Sequence, residues 1–299
     1  SLVFCAYYIY SHISYLNSNN SALYDTSIFS NIFKIFVLLS LAIIFYYTSV
    51  FLRYFKIYQT EYFLITMFGL LGMMIMVSSQ NMLLLYLGIE LLSLSLYSVI
   101  AFNKNSLFSS EAAVKYYILG AISSGFLLFG ISLIYGLTGS LSFNEIFMHI
   151  ASLNISNSMD NVKVIGLLFS LIFILISLAF KFGAAPFHMW IPDVYHGSVI
   201  TTTLLLSTIP KIAVFVILIK LLAVVFSGLF LFWSDMIIIL SILSILIGNI
   251  VAISQTNIKR MLAYSTIANI GFILLGLSVG SFIAYKAAMF YTLTYVITI

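Results

Sequence analysis

Apolar runs of about 20 residues or more recur along almost the whole chain, and an α-helix needs runs of that length to cross a bilayer. The ~10-residue alternation of a membrane β-barrel does not describe them. Leu2 to Tyr10 is apolar but too short to span, and the polar Asn17-Ser18-Asn19-Asn20-Ser21 stretch after it reads as a loop. Ile28 to Leu52 is the first complete span, with Lys34 near its start, where a long side chain reaches the interface. From Tyr62 to Phe102 the sequence is mostly apolar but is divided by Ser78-Ser79-Gln80-Asn81. Two helices joined by a tight turn fit this better than one helix about 60 Å long. Further spans follow at Ala112–Gly136, at Val164–Phe182 continuing brokenly to Trp190, at Val199–Phe226, Leu229–Ile253 and Ile258–Gly280, and from Ala284 to the end. The pattern predicts an all-α integral membrane protein, a polytopic bundle of about nine or ten transmembrane helices with breaks in some of them. Residues 1–27 form an N-terminal segment of partial helix and polar loop, and 28–299 the transmembrane domain.

Composition agrees: 63% hydrophobic and 7% charged residues, with a mean hydropathy of +1.19, exclude an ordinary globular domain, of which about a quarter would be charged. The net charge of +4 comes from 12 basic against 8 acidic residues, thinly spread. No basic run tracks phosphates, so nucleic acid is excluded as a partner. Cys5 is the only cysteine, which rules out an intrachain disulfide and a cysteine set for zinc or an iron–sulfur cluster. Any redox cofactor must therefore sit on another polypeptide. Phe, Tyr, Ile, Leu, Ser and Asn abound while Pro (3) and Arg (2) are scarce, a bias that suggests an AT-rich gene such as an organellar genome carries. The chain begins at Ser1 without Met and stops at Ile299 inside an apolar run, so one or both ends read as processed or completed by a split gene. No basic stretch precedes the opening residues, which therefore do not read as a signal peptide.

Loops alternate sides, so the positive-inside rule applies. One side receives Arg53, Lys56, Lys104, Lys259 and Arg260; the other receives essentially Lys34 and Lys163. The first side is expected to face a bacterial cytoplasm or a mitochondrial matrix. The stretch from Ser140 to Asn161, with Glu145, His149 and Asp160, reads as a solvated loop on the opposite side.

The charges inside the spans stand out against this background, because a lysine at mid-membrane costs about 2.5–3.5 kcal/mol even on lenient insertion scales. Lys211 lies about twelve residues, roughly 18 Å, from Val199, near the centre of a ~30 Å core. Pro210 beside it lacks an amide proton, which frees a carbonyl one turn back for water or an ammonium group. Lys181 precedes Gly183-Ala184-Ala185-Pro186, and irregular backbone at that depth is tolerated only where protein or a watery cavity lines it. Glu90 sits within Leu83–Leu92, well inside a span. Burial favours the neutral form of acid and amine alike, and an approaching opposite charge restores the ion. Groups poised in this way are suited to taking up and releasing protons. The alternatives are a structural ion pair for Glu90, a snorkelling end-of-helix lysine for Lys181 and a plugged kink for Lys211. Lys115 lies one turn from Glu111, an ordinary i,i+4 pair, or serves equally as the basic neighbour of Glu90. His188 and His196 either relay protons or hydrogen-bond at an interface. Lys220, Asp235 and Lys286 lie nearer helix ends and read as interfacial.

Four ordered stretches resemble the antiporter-like membrane subunits of respiratory complex I. They are Leu87-Gly88-Ile89-Glu90-Leu91; Ser110 to Ala121 around Lys115; Phe180-Lys181-Phe182 leading to Pro186-Phe187-His188-Met189-Trp190-Ile191-Pro192-Asp193-Val194-Tyr195; and Gln255 to Ser265 around Lys259-Arg260. The resemblance implies a proton-pumping subunit without a redox centre, built from inverted helical repeats with broken helices. It sets Glu90 against Lys181, continues a polar axis through Lys211, and matches Lys115 to a further basic position. FMN, iron–sulfur clusters and ubiquinone are then expected on other subunits of an NADH:ubiquinone reductase. Expected partners are neighbouring antiporter-like subunits, lipids and a separate chain completing the second repeat. The expected place is the mitochondrial inner membrane, with a bacterial plasma membrane as the alternative.

Two departures from the family pattern stand out. Asn269 occupies a position where relatives commonly carry histidine, and the chain ends before the second repeat's charged residue, leaving that repeat incomplete. Two other functions share these motifs: a multisubunit cation/proton antiporter, and a structural membrane subunit that does not pump.

Overall fold

The computed structural model describes residues 1–13, 23–54, 59–103, 106–153 and 162–299. The Asn17–Ser21 loop, Lys56, Lys104 and Asp160 lie outside the described residues. Among those described there are twelve α-helices: α1 (Leu2–Ser11), α2 (Ile28–Tyr54), α3 (Gln59–Ser78), α4 (Met82–Ile100), α5 (Leu107–Thr138), α6 (Phe143–Ala151), α7 (Val162–Phe182), α8 (Trp190–Gly197), α9 (Ile200–Ile219), α10 (Phe230–Ser254), α11 (Ile258–Ser278) and α12 (Phe282–Thr298). A π-helical turn (Lys220–Val225) extends α9, and a 3-10 turn (Ser227–Leu229) leads into α10. Among the described residues, eight helices are long and apolar enough to cross a membrane. The span expected from Ala284 forms α12, whose 17 residues fall below that length.

Local chemistry places the breaks. Asn81 caps α4, its side chain accepting from Leu83 N at 2.9 Å, and Asn257 caps α11 by accepting from Lys259 N at 3.0 Å. Each cap satisfies a backbone donor that the first helical turn leaves without an intrahelical partner. The turn between α3 and α4 is held by Gln80 N donating to Leu23 O at 3.0 Å, next to an isolated bridge between Tyr24 and Ser79.

The chain divides into two compact units, Ser1–Ile118 with Val194–Val216 and Ile299, and Leu119–Asp193 with Ile217–Thr298. In the first, α1 packs on α2, α2 on α3, and α3 on α4. The α3–α4 contact is backbone on backbone: a Cβ added to Gly72 would lie 2.7 Å from Leu92 N, and one added to Gly88 would lie 2.9 Å from Met76 N. Lipid gives helices no hydrophobic reason to associate, so close approach at small residues supplies the attraction. Phe33 meets Phe215 at 6.1 Å between ring centroids, and Tyr62 OH lies 3.5 Å from Thr202 Oγ1, seating α9 against α2 and α3.

In the second unit, α10 and α11 form the same kind of pair. A Cβ on Gly248 would lie 2.6 Å from Ala268 N, and Ser241 Oγ donates to Gly271 O at 2.8 Å. The stretch expected as a solvated loop contains α6, which buries Phe143, Ile146 and Ile150 and packs on the turns at 220–225 and 227–229. Its apolar residues are spaced i, i+3, i+7, a helical face in a segment too short to register as a span.

Candidate functional site

In the first unit, Glu90 lies midway along α4 and is half-buried within the chain. Tyr86 and Tyr97 lie within electrostatic range of its carboxylate. Tyr97 packs edge-on against Tyr116 at 4.9 Å and Tyr117 at 5.5 Å, so the helices carrying Glu90 and Lys115 are neighbours. Lys115 Nζ lies 2.8 Å from Glu111 Oε1, the i,i+4 pair that was one of its two readings. Its side chain is 44% exposed in the chain, whereas Lys211 is 1% exposed, which sets the two lysines apart. Lys211 follows Pro210 inside α9, with Ile209, Ile212, Ala213 and Phe215 fully buried around it. The helix runs through Pro210 without ending. On one side of Lys211 it carries the buried hydroxyls of Thr201, Thr202, Ser207 and Thr208; on the other, no polar side chain appears until Lys220.

Lys181 and His188 belong to the second unit. Lys181 occupies the last turn of α7 and is 8% exposed. The helix stops because Gly183 takes φ +86, a conformation that side chains rarely adopt, while the Gly183 and Ala184 amides both donate to Ala179 O at 2.7 and 2.9 Å. The break that follows is tied down at both ends. Ala185 N donates to Ser244 Oγ of α10 at 2.9 Å, and Trp190 Nε1 donates back to Phe180 O at 2.9 Å. Arg260 Nη2 of α11 lies 2.9 Å from Asp193 Oδ1 of α8. The expected broken helix is therefore present, fixed by hydrogen bonds that replace those a continuous helix would make. His188 is buried, with its ring 6.2 Å from that of Tyr264. His196 packs edge-on at 6.1 Å from the Phe108 ring, in the first unit.

Ser244 was not singled out by sequence, since one serine in an apolar run carries no distinguishing pattern; Asp193 was quoted in a family-like stretch but given no role of its own. Asn269 donates to Ser265 O at 3.0 Å and accepts from Tyr291 OH at 2.7 Å, which occupies its amide in joining α11 to α12. Asp235 and Lys286 are exposed in the chain. Lys220, read from the sequence as interfacial like these two, is instead buried, 8% exposed.

Residues 79–298 match the family described as NADH:quinone oxidoreductase/Mrp antiporter, TM. The chain belongs to that family. It is 50% identical over 268 residues to NADH-quinone oxidoreductase subunit N of Thioalkalivibrio sulfidiphilus, covering 90% of this chain and 55% of that protein. Among solved structures it resembles a chain of respiratory complex I from Thermus thermophilus, with a TM-score of 0.74 and 30% identity, covering 99% of this chain and 61% of that one. A chain of the Mrp complex from a Dietzia species shares the fold at a TM-score of 0.79 and 18% identity, covering 99% of this chain and 56% of that one. The chain thus spans about half the length of the curated relatives it matches. These relatives are bacterial, so the mitochondrial setting expected from composition finds no support among them. Biased residue usage reports on the gene and not on the membrane.

Proposed function

We propose that this chain is the proton-translocating part of a membrane-arm subunit of an NADH–quinone reductase of the complex I type, in a bacterial plasma membrane. The observation that carries the reading is the burial of Lys211 and Lys181, at 1% and 8% exposure, within helices of a membrane-spanning family member. A buried amine holds or gives up its proton according to the charges and water that reach it. Glu90, Lys181 and Lys211 are the groups that take up and pass on protons, with Lys115 and His188 in supporting places. NADH oxidation, flavin, iron–sulfur and quinone chemistry belong in this reading to other subunits, and the partners are those subunits, neighbouring antiporter-like chains and lipid.

A multisubunit cation/proton antiporter is the second reading, because the family itself includes Mrp proteins. Co-migration of the chain with NADH dehydrogenase activity on a native gel, together with flavin and iron–sulfur chains in the mass spectrum of the band, supports the first. Purification in an assembly that lacks those chains and shows sodium-dependent proton exchange overturns it in favour of the second.

A further inference from the structure

Lys220 is a titratable group that the proposed pathway does not use. It begins the last turn of the span Ile200–Val225, five residues from the span's end, where a lysine stem ordinarily reaches the headgroups. Instead the side chain is 8% exposed. The backbone there closes in a π-turn, with Phe226 N donating to Leu221 O at 2.8 Å, a turn of the kind that ends helices. Helix α6 packs on this turn, burying Phe143, Ile146 and Ile150, while its own titratable groups, Glu145 and His149, are exposed. Between Lys211 and Lys220 the helix carries eight apolar residues, Ile212 to Ile219, so Lys220 is the next protonatable side chain along it. A buried amine in a membrane span is costly enough to call for a function.

We propose that Lys220 is a further proton-carrying residue of the translocation pathway, serving the half of the membrane on the α6 side. The neutral amine takes one proton to become an ammonium and then yields that proton to water at the α6 face, regenerating the amine. No other reactant is needed. The proposal rests on the translocation reading above, and its test separates the two. The intact complex is reconstituted into vesicles, and protons moved per NADH oxidised are measured for Lys220→Met, Lys220→Arg and Lys211→Ala. Arginine keeps the charge and approximate size, so the fold is preserved, but it does not release its proton. The expected result is that Lys220→Met and Lys220→Arg both lower the ratio by as much as Lys211→Ala does, with NADH oxidation still running. A normal ratio in Lys220→Arg with a lowered ratio in Lys211→Ala makes Lys220 a fixed structural charge and overturns this inference alone. A normal ratio in all three variants overturns the translocation reading itself.

Discussion

Lys181, Lys211 and Lys220 have almost no surface, and the sequence singled out the first two as candidates. Lys211 was legible from its distance to either end of its apolar run, and Lys181 from the Gly-Ala-Ala-Pro that follows it. Lys220 was not legible, because closeness to the end of a run implies snorkelling unless something covers that end. Helix α6 packs on the turn that Lys220 begins, a placement no linear pattern reveals. Lys115 marks the contrasting case. Exposed i,i+4 pairs contribute about 0.3–0.5 kcal/mol, so Glu111→Gln is expected to leave the thermal midpoint of the purified assembly within error of the unsubstituted protein. Ser244 should behave differently. Ser244→Ala leaves the fully buried amide of Ala185 without its acceptor, at a cost of about 1–3 kcal/mol. Hydrogen exchange should therefore quicken at Ala185 in that variant, while exchange in the α3–α4 pair stays unchanged.

Among the elements, long helices and their polar punctuation were readable because span length and Asn caps are local properties. The broken helix was readable as a break, yet the contacts holding it, Ser244 from α10 and Asp193 with Arg260, join residues 59 and 67 positions apart. The α6 helix was missed because nine residues fall far short of a span. Helix pairing was also invisible in the sequence, since glycine in an apolar run marks no partner. Structure supplies the partner for Gly72, where an added Cβ meets the backbone of α4. Gly72→Ala is expected to cost about 1–3 kcal/mol by overpacking, seen as a lower thermal midpoint. At Gly125, where an added Cβ meets nothing within 4 Å, alanine should cost nothing measurable and should slightly favour the helix.

At the scale of the molecule, composition alone placed the chain in a membrane, and four ordered motifs placed it in a family that the match over residues 79–298 shows. What composition said about the compartment did not follow, because AT-rich codon usage is found outside organelles. The chain covers 55% of the Thioalkalivibrio relative, so the proposed pathway is only the portion carried by these residues. Its central claim is that buried amines carry the protons. The most direct measurement is the number of protons moved per NADH oxidised by vesicles containing the intact complex with Lys181→Ala. A clear fall in that ratio while NADH oxidation persists is the predicted result; an unchanged ratio would contradict the account and leave this subunit a scaffold.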